Sequence, residues 1–348
     1  MPLWTDLIDP ATLTGYARES LADYEARQGS LNRWLPNRPV PDVVVRFVKG
    51  RTGLVDTAKF RAYDAEPEVG KRLPNQRVSI ELPALGEMRP VTEYEQLRAR
   101  GGNLTAEEAL LTIQGETRWA VRSVSDALER LRGIVISTGK ATIDHDNFKT
   151  DDDFGRPPGN EVSATIDWDA VGADALDDLH TWQEAYEDAT GTLPGSILMP
   201  RRVFRAMATQ AVFRTTLIGG AERRANDEQV RDLVSGAGLP PIVIYDRRVS
   251  VNGVMTRILP DHTLYMLPAA VGPDDWQGTD LGATFWGRTL TSTVSDWGIQ
   301  PAEQPGIVAG VWRHEKPPMG VEIISDAIGL PVLANAELSF AAQVLDNP

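Results

Sequence analysis

The stretch that follows Thr105 constrains this chain more than any other. Leu110, Ile113, Thr117, Val121, Val124, Leu128 and Leu131 recur at spacings of three and four, which places them in one stripe along a helix of 3.6 residues per turn. The stripe lasts about seven turns. Thr105-Ala106-Glu107-Glu108 fits a capping box at its start, the hydroxyl accepting from an early amide and the glutamate reaching back. Gly133 and the β-branched run Ile134-Val135-Ile136 predict that the helix spans 105–132 and gives way to a strand.

Before this helix the pattern is extended. Val43-Val44-Val45-Arg46-Phe47-Val48 and Arg77-Val78-Ser79-Ile80-Glu81-Leu82 read as strands, the second with period-two alternation, and together as the legs of a long hairpin. Between 46 and 72 lie seven basic residues, Arg46, Lys49, Arg51, Lys59, Arg61, Lys71 and Arg72, against the acidic Asp56, Asp64, Glu66 and Glu68. Such a loop is either a solvated excursion or a projection that docks on an acidic neighbour. Residues 1–41 alternate short amphipathic pieces with proline and end in Trp34-Leu35-Pro36-Asn37-Arg38-Pro39-Val40-Pro41, which favours extended chain. An arm of this kind needs a surface for Leu3, Trp4, Leu7, Ile8, Leu31, Trp34 and Leu35. That surface is either the edge of its own domain or a neighbouring subunit.

After the helix, residues 144–160 form an acidic, Pro- and Gly-rich connection and the best internal boundary. Beyond it the pattern turns α/β, with helices near Ala173–Thr190, from Pro200 or Arg201, and over Asn226–Val234. Strands are expected at Ser196–Met199, Ile242–Tyr245 and Thr263–Leu267. Val249-Ser250-Val251 and Val254-Met255-Thr256 flank Asn252-Gly253, the pair that suits a type I′ hairpin turn. The last third is β in character: Ile307–Trp312, Val321–Ile324 and a terminal strand near Glu337–Leu345.

Composition narrows the chemistry. The 348 residues contain no cysteine, which removes disulfides, thiolate nucleophiles and cysteine-bound metals. A formal net charge of −14 argues against specific nucleic-acid recognition, which draws its affinity from Lys and Arg, and remains compatible with a container that does not trap DNA. Neither a basic leader followed by an apolar core nor a run of about 18 apolar residues occurs, so neither export nor membrane anchoring is expected.

No motif marks an active site. Gly133 to Lys140 is similar to a phosphate-binding loop, yet five residues separate its glycines, Ala141 follows the lysine, and the segment leaves a helix instead of opening one. Asp144-His145-Asp146 and Asp151-Asp152-Asp153 offer ligands for a hard cation but lack the glycine and terminal glutamate of a calcium loop. The four histidines, His145, His180, His262 and His314, accompany neither a Gly-x-Ser-x-Gly elbow nor a paired zinc-protease helix. The reading is no catalytic, cofactor-binding or metal site. A metal-dependent enzyme built on 144–153 is the weakest alternative.

The order of arm, basic hairpin, long helix, α/β segment and returning strands resembles the major capsid proteins of tailed bacteriophages. The fold is that named for phage Hong Kong ninety-seven, and the branch is the lambda-like major capsid protein E family. Arg77 to Pro83 leading to Arg89-Pro90, Val251-Asn252-Gly253 through Leu259-Pro260-Asp261-His262-Thr263, and Pro331-Val332-Leu333-Ala334 carry the resemblance. It implies an α+β fold with an N-terminal arm (1–41), an extended loop (42–85), a peripheral domain (86–165) on the spine helix, an axial domain (166–290) and return strands (291–348) completing the peripheral domain. It also implies a virion shell of pentamers and hexamers around double-stranded DNA, assembled in the host cytoplasm, with a separate scaffolding protein, a portal and possible decoration proteins as partners. Arg46, Lys49, Arg51, Lys59, Arg61, Lys71 and Arg72 of the loop, and Trp4, Leu31, Trp34 and Leu35 of the arm, then become the candidate assembly residues. A cellular nanocompartment of the encapsulin type, which uses related subunits to enclose enzymes, is the alternative within the same fold.

Overall fold

The computed structural model describes residues 3–49, 76–100, 106–145, 148–216 and 222–346. The first helix, α1 (Pro10–Gln28), starts where the Asp9 carboxylate accepts from the Thr12 amide and Pro10 occupies the first turn, a position with no intrahelical donor to lose. A 3₁₀ turn at Leu31–Arg33 leads to β1 (Asn37–Pro39), then to the hairpin legs β2 (Val44–Lys49) and β3 (Gln76–Glu81) and to β4 (Ala84–Val91). After α2 (Glu93–Arg100) comes α3 (Ala106–Thr138), whose 33 residues extend about 50 Å at 1.5 Å each. A hairpin of β5 (Lys140–His145) and β6 (Phe148–Asp153) follows, then β7 (Glu161–Ser163).

The next segment contains α4 (Ala175–Thr190), β8 (Ser196–Met199), α5 (Arg201–Thr209), β9 (Arg214–Thr216), β10 (Glu222–Arg224), α6 (Asp227–Gly236) and β11 (Ile242–Ile244). The hairpin of β12 (Arg248–Val251) and β13 (Val254–Arg257) and then β14 (Thr263–Leu267) come next. The chain finishes with β15 (Gly282–Gly287), α7 (Leu290–Thr293), β16 (Val308–Arg313), β17 (Val321–Leu333) and β18 (Phe340–Gln343).

Among the described residues, two five-stranded sheets organise the molecule. In the first, β17 is central: Val321–Asp326 pairs with β16, Val321–Ile328 with β4 and Ile328–Leu333 with β15, which holds β1 in parallel on its other side. From 321 to 328 buried and half-buried residues alternate, and from Gly329 onward all are buried. A strand alternates in this way when one of its faces is more deeply covered, and loses the alternation where both are. Ile113, Val121, Val124 and Leu128 of the α3 stripe pack with Val311, Ile323 and Ala327 of this sheet and with Leu13 and Ala17 of α1. Each valine, leucine or isoleucine among them contributes about 1.5–3 kcal/mol on burial.

The second sheet has the order β11-β8-β14-β18-β7, with β11 and β8 parallel, β8, β14 and β18 antiparallel, and β7 parallel to β18. The parallel pair β8 and β11 requires a crossover, which α5 and α6 provide. Its core gathers Trp182 and Tyr186 of α4, Phe204 of α5, Val230 of α6 and Phe340 of β18. Trp168 stacks on Trp182 at 6.0 Å between ring centres.

Several expectations are corrected here. The helix does not stop at Gly133: Ile134-Val135-Ile136 belongs to the final turns of α3. Gly133 serves close approach, since a Cβ there would lie 2.4 Å from Ile258 Cγ2 and 2.6 Å from the Ile258 carbonyl oxygen. The stop comes at Gly139, whose φ of +70° suits glycine. Residues 144–160 are not a linker either, for β5 and β6 pair along six residues and Lys140–Asp153 and Lys149–Asp144 bridge them at 3.0 and 2.7 Å. The contiguous domain boundaries cut through both sheets. Strands β1 and β15 lie in the first sheet, and β7 and β18 in the second, so the segment 291–348 is shared between the two. The capping box at Thr105 lies outside the described residues.

Candidate assembly surfaces

The root of the basic hairpin is part of the core. Strands β2 and β3 pair from Val44–Glu81 to Lys49–Gln76, and the Leu82 amide donates to the Val43 carbonyl at 2.8 Å. Val45, Ile80 and Leu82 are each 5% exposed, which fixes the direction in which the hairpin leaves the body. Arg46 is exposed opposite Ser79, on the face away from this anchor. Lys49 ends the described leg, while Arg51, Lys59, Arg61, Lys71 and Arg72 lie outside the described residues.

The arm residues separate into two groups. Trp4 is half-buried along the edge of β16, where its amide donates to the Val311 carbonyl at 2.8 Å and Arg313 lies 5.3 Å from its ring centre. Leu31, Trp34 and Leu35 are 0, 2 and 0% exposed in this subunit's own core, and the Trp34 indole donates to Ser196 Oγ at 2.8 Å. The reading of these three as assembly residues is therefore corrected. They strap the subunit's own two sheets together, because α1 turns back on α3 and delivers them to the junction.

Sequence reading missed a buried polar cluster at that junction. Arg132 donates to Glu129 Oε2 (2.9 Å), Glu25 Oε1 (3.0 Å), Thr284 Oγ1 (2.9 Å) and Asn37 Oδ1 (3.0 Å). Glu129 Oε1 accepts from the Tyr245 hydroxyl at 2.5 Å and from the Leu31 amide at 2.7 Å. Arg247 donates to the Gly29 carbonyl and to Asp126, at 3.0 and 2.8 Å. The available signal was Glu129 and Arg132 at i, i+3 beside Leu128 and Leu131, a charged pair next to the apolar stripe. Burial lowers the Arg132 pKa, but Glu25 and Glu129 raise it by more, so the guanidinium stays charged. This cluster ties α1, α3, β1, β15 and the segment after β11 to one another. Arg132 and Glu129 are wholly enclosed, whereas Glu25 and Asn37 at the edge of the cluster line a surface cavity of about 790 Å³.

Other polar residues have structural partners. His314 Nε2 lies 3.1 Å from Glu322 Oε1 across β16 and β17. Among the described residues, no three His, Asp or Glu side chains are grouped to hold a metal ion. No described helix is long and apolar enough to cross a membrane. Large apolar side chains do face outward, notably Tyr94 on α2, Leu111 and Trp119 on α3, Val254 and Met255 on β13, and Leu290 on α7.

Comparison with known proteins agrees with this architecture. No curated protein sequence matches the chain. A phage-related protein from Bordetella bronchiseptica RB50 superposes with a TM-score of 0.59 at 14% identity, covering 98% of each chain. A protein assigned as the capsid protein of a prophage in E. coli CFT073 gives 0.55 at 14% identity, covering 78% of this chain and 79% of that one. The capsid of a native GTA particle gives 0.50 at 12% identity over 91% and 90%. These likenesses establish the α+β Hong Kong ninety-seven fold. The family model described as phage major capsid protein E matches residues 28–286, and by that match the chain belongs to this family of structural proteins of the virion shell.

Proposed function

We propose that this capsid subunit closes, through heterologous contacts, into five- and six-membered rings of an icosahedral shell around double-stranded DNA. The observation that carries the reading is the hairpin of β2 and β3, locked to the core by Val45, Ile80 and Leu82 and continued by the basic segment up to Arg72 in a chain of net charge −14. A rigidly rooted, oppositely charged projection can set register on a neighbouring copy. Arg46, Lys49, Arg51, Lys59, Arg61, Lys71 and Arg72 are the residues proposed to do so, with Trp4 at the edge of β16 as a second contact. No catalytic centre is assigned. A scaffolding protein, a portal and a decoration protein are the proposed partners, with assembly in the host cytoplasm.

Negative-stain microscopy of the expressed protein, alone and with its neighbouring small gene product, tests the proposal. Uniform shells, sheets or tubes are the expected result. A monodisperse monomer under all conditions would overturn it, and shells filled with a protein cargo and free of DNA would point to a nanocompartment. Deletion of residues 50–72 is expected to abolish closed shells and leave the subunit folded.

A further inference from the structure

We infer that the groove between α1 and α3 binds the phosphodiester backbone of DNA; that the DNA is the packaged genome rests on the capsid reading above. The groove, of about 450 Å³, has one wall from each helix. Arg118 and Arg122 form the α3 wall, and neither makes an ion pair or hydrogen bond with a described residue, unlike Arg89, Arg132, Arg156 and Arg247 of the same protein. The Arg122 guanidinium carbon lies 5.1 Å from the Tyr24 ring centre and 5.3 Å from that of Trp119, which is 56% exposed. Aromatic contact positions a guanidinium while leaving its N–H groups available, and a phosphate accepts from such a fork in bidentate fashion. Tyr16, Ser20 and Gln28 add neutral donors on the α1 side.

The α3 wall is purely basic and attracts an anion, whereas the α1 wall carries both signs, and this sets the character of the site. On α1, Asp23 is engaged by Arg27 at 3.2 Å, which leaves Glu19 as the carboxylate facing the arginine wall without an ion pair among the described residues. Glu19 limits affinity, and contact through phosphates alone is independent of sequence, which is what a container needs if DNA is to move along its wall. A site built for tight retention would lack it.

The test uses the full-length unassembled protein, a fluorescently labelled duplex of random sequence, and anisotropy over a series of salt concentrations. Each phosphate contact contributes about 0.9 to the slope of log K against log salt. Arg118→Gln with Arg122→Gln is expected to reduce the slope by about two contacts and weaken binding at least about tenfold at low salt. Replacement of both arginines by lysine is expected to keep the slope. Glu19→Gln is expected to tighten binding several-fold. Shell formation by each variant is followed in parallel by microscopy. Absence of binding by the unaltered protein, or an unchanged slope in the double glutamine variant, overturns the inference. Loss of shells with the DNA slope intact would instead make the groove a protein interface. Loss of the slope in a protein that never forms shells would leave DNA binding standing and remove the capsid reading.

Discussion

Arg132 and Glu129 stand one turn apart on α3 and meet at 2.9 Å with neither side chain reaching solvent. Glu25 reaches the same guanidinium from α1 at 3.0 Å, so two carboxylates share one arginine at the point where the two sheets join, and Arg247, 3.9 Å from Glu129, supplies the second positive charge. A buried pair of this kind need not stabilise more than an apolar replacement, but breaking it leaves a charge without a counterpart. The cluster therefore penalises any arrangement of α1, α3 and β15 that would part these charges.

Arg132→Met is expected to destabilise the unassembled subunit by about 3–5 kcal/mol, read as a lower urea midpoint. Arg132→Met combined with Glu129→Gln should recover part of the loss, because one stranded carboxylate is then neutral. Equal midpoints for the single and double variants would show that the buried charge is not the cause.

Tyr245 ionises only far above the ordinary tyrosine value, chiefly through burial and next through the charge of Glu129. Tyr186 and Tyr265 are also shifted upward by burial. Unfolded tyrosines release their protons near pH 10 while these folded ones retain them, so the unfolded state binds fewer protons and stability falls as pH rises. The contribution is complete below about pH 10, and each tyrosine adds a loss of about 1.4 kcal/mol per pH unit above it. Urea midpoints between about pH 10 and 11 should decline less steeply in Tyr245→Phe. An identical slope would count against the upward shift of this residue.

Gly133→Ala should destabilise the protein although alanine favours helix by about 1 kcal/mol over glycine. Its Cβ would meet Ile258 Cγ2 at 2.4 Å and the Ile258 carbonyl oxygen at 2.6 Å, so backbone as well as side chain must move. A net loss of about 1–3 kcal/mol is expected in thermal or urea unfolding. Ile258→Ala should relieve only part of it, since the carbonyl remains. A stabilised Gly133→Ala protein would refute the close approach.

Arg156 comes from beyond the β5 and β6 hairpin to cap α3, donating to the Ile136 carbonyl, to the Ser137 carbonyl at 3.0 Å and to Ser339 Oγ at 2.9 Å. Positive charge and N–H donors at a helix C-terminus satisfy carbonyls that have no partner within the helix. Arg156→Gln is expected to cost about 1.5–3 kcal/mol. It should also accelerate amide hydrogen exchange in the last turn, including Gly139, whose amide donates to the Val135 carbonyl at 2.9 Å. Protection unchanged at Gly139 would assign the helix end to Gly139 alone.

Local patterns were read correctly where neighbours in sequence are neighbours in space. Ile113, Thr117, Val121, Val124, Leu128 and Leu131 are buried as the helical spacing requires. Asn252 and Gly253 adopt φ of 51° and 80° in the turn of β12 and β13, and the helix expected over Asn226–Val234 is α6, with Asn226 as its N-cap. The candidate surfaces were less legible. Trp4 remains at an edge, yet Leu31, Trp34 and Leu35 of the same arm are core, and an apolar residue in an arm does not say whose surface it covers. Periodicity does not single out Trp119, Arg118 and Arg122, because a helix pattern ranks residues by the stripe they join, and these lie off it.

The sequence by itself determined the long helix, the paired legs of the hairpin at 43–48 and 77–82, the α/β alternation and the acidic, cysteine-free character of the chain, since periodicity and turn chemistry act over a few residues. Tertiary structure alone decided where α3 ends, which strands share a sheet and which charges are buried together. Arg156 and Ile258 shape the last turns of α3 from 20 and more than 100 residues away, and Glu25, Glu129, Arg132 and Tyr245 meet only after α1 and the second sheet have closed on that helix. Contacts at such separation depend on the whole packed arrangement, and no local pattern records them.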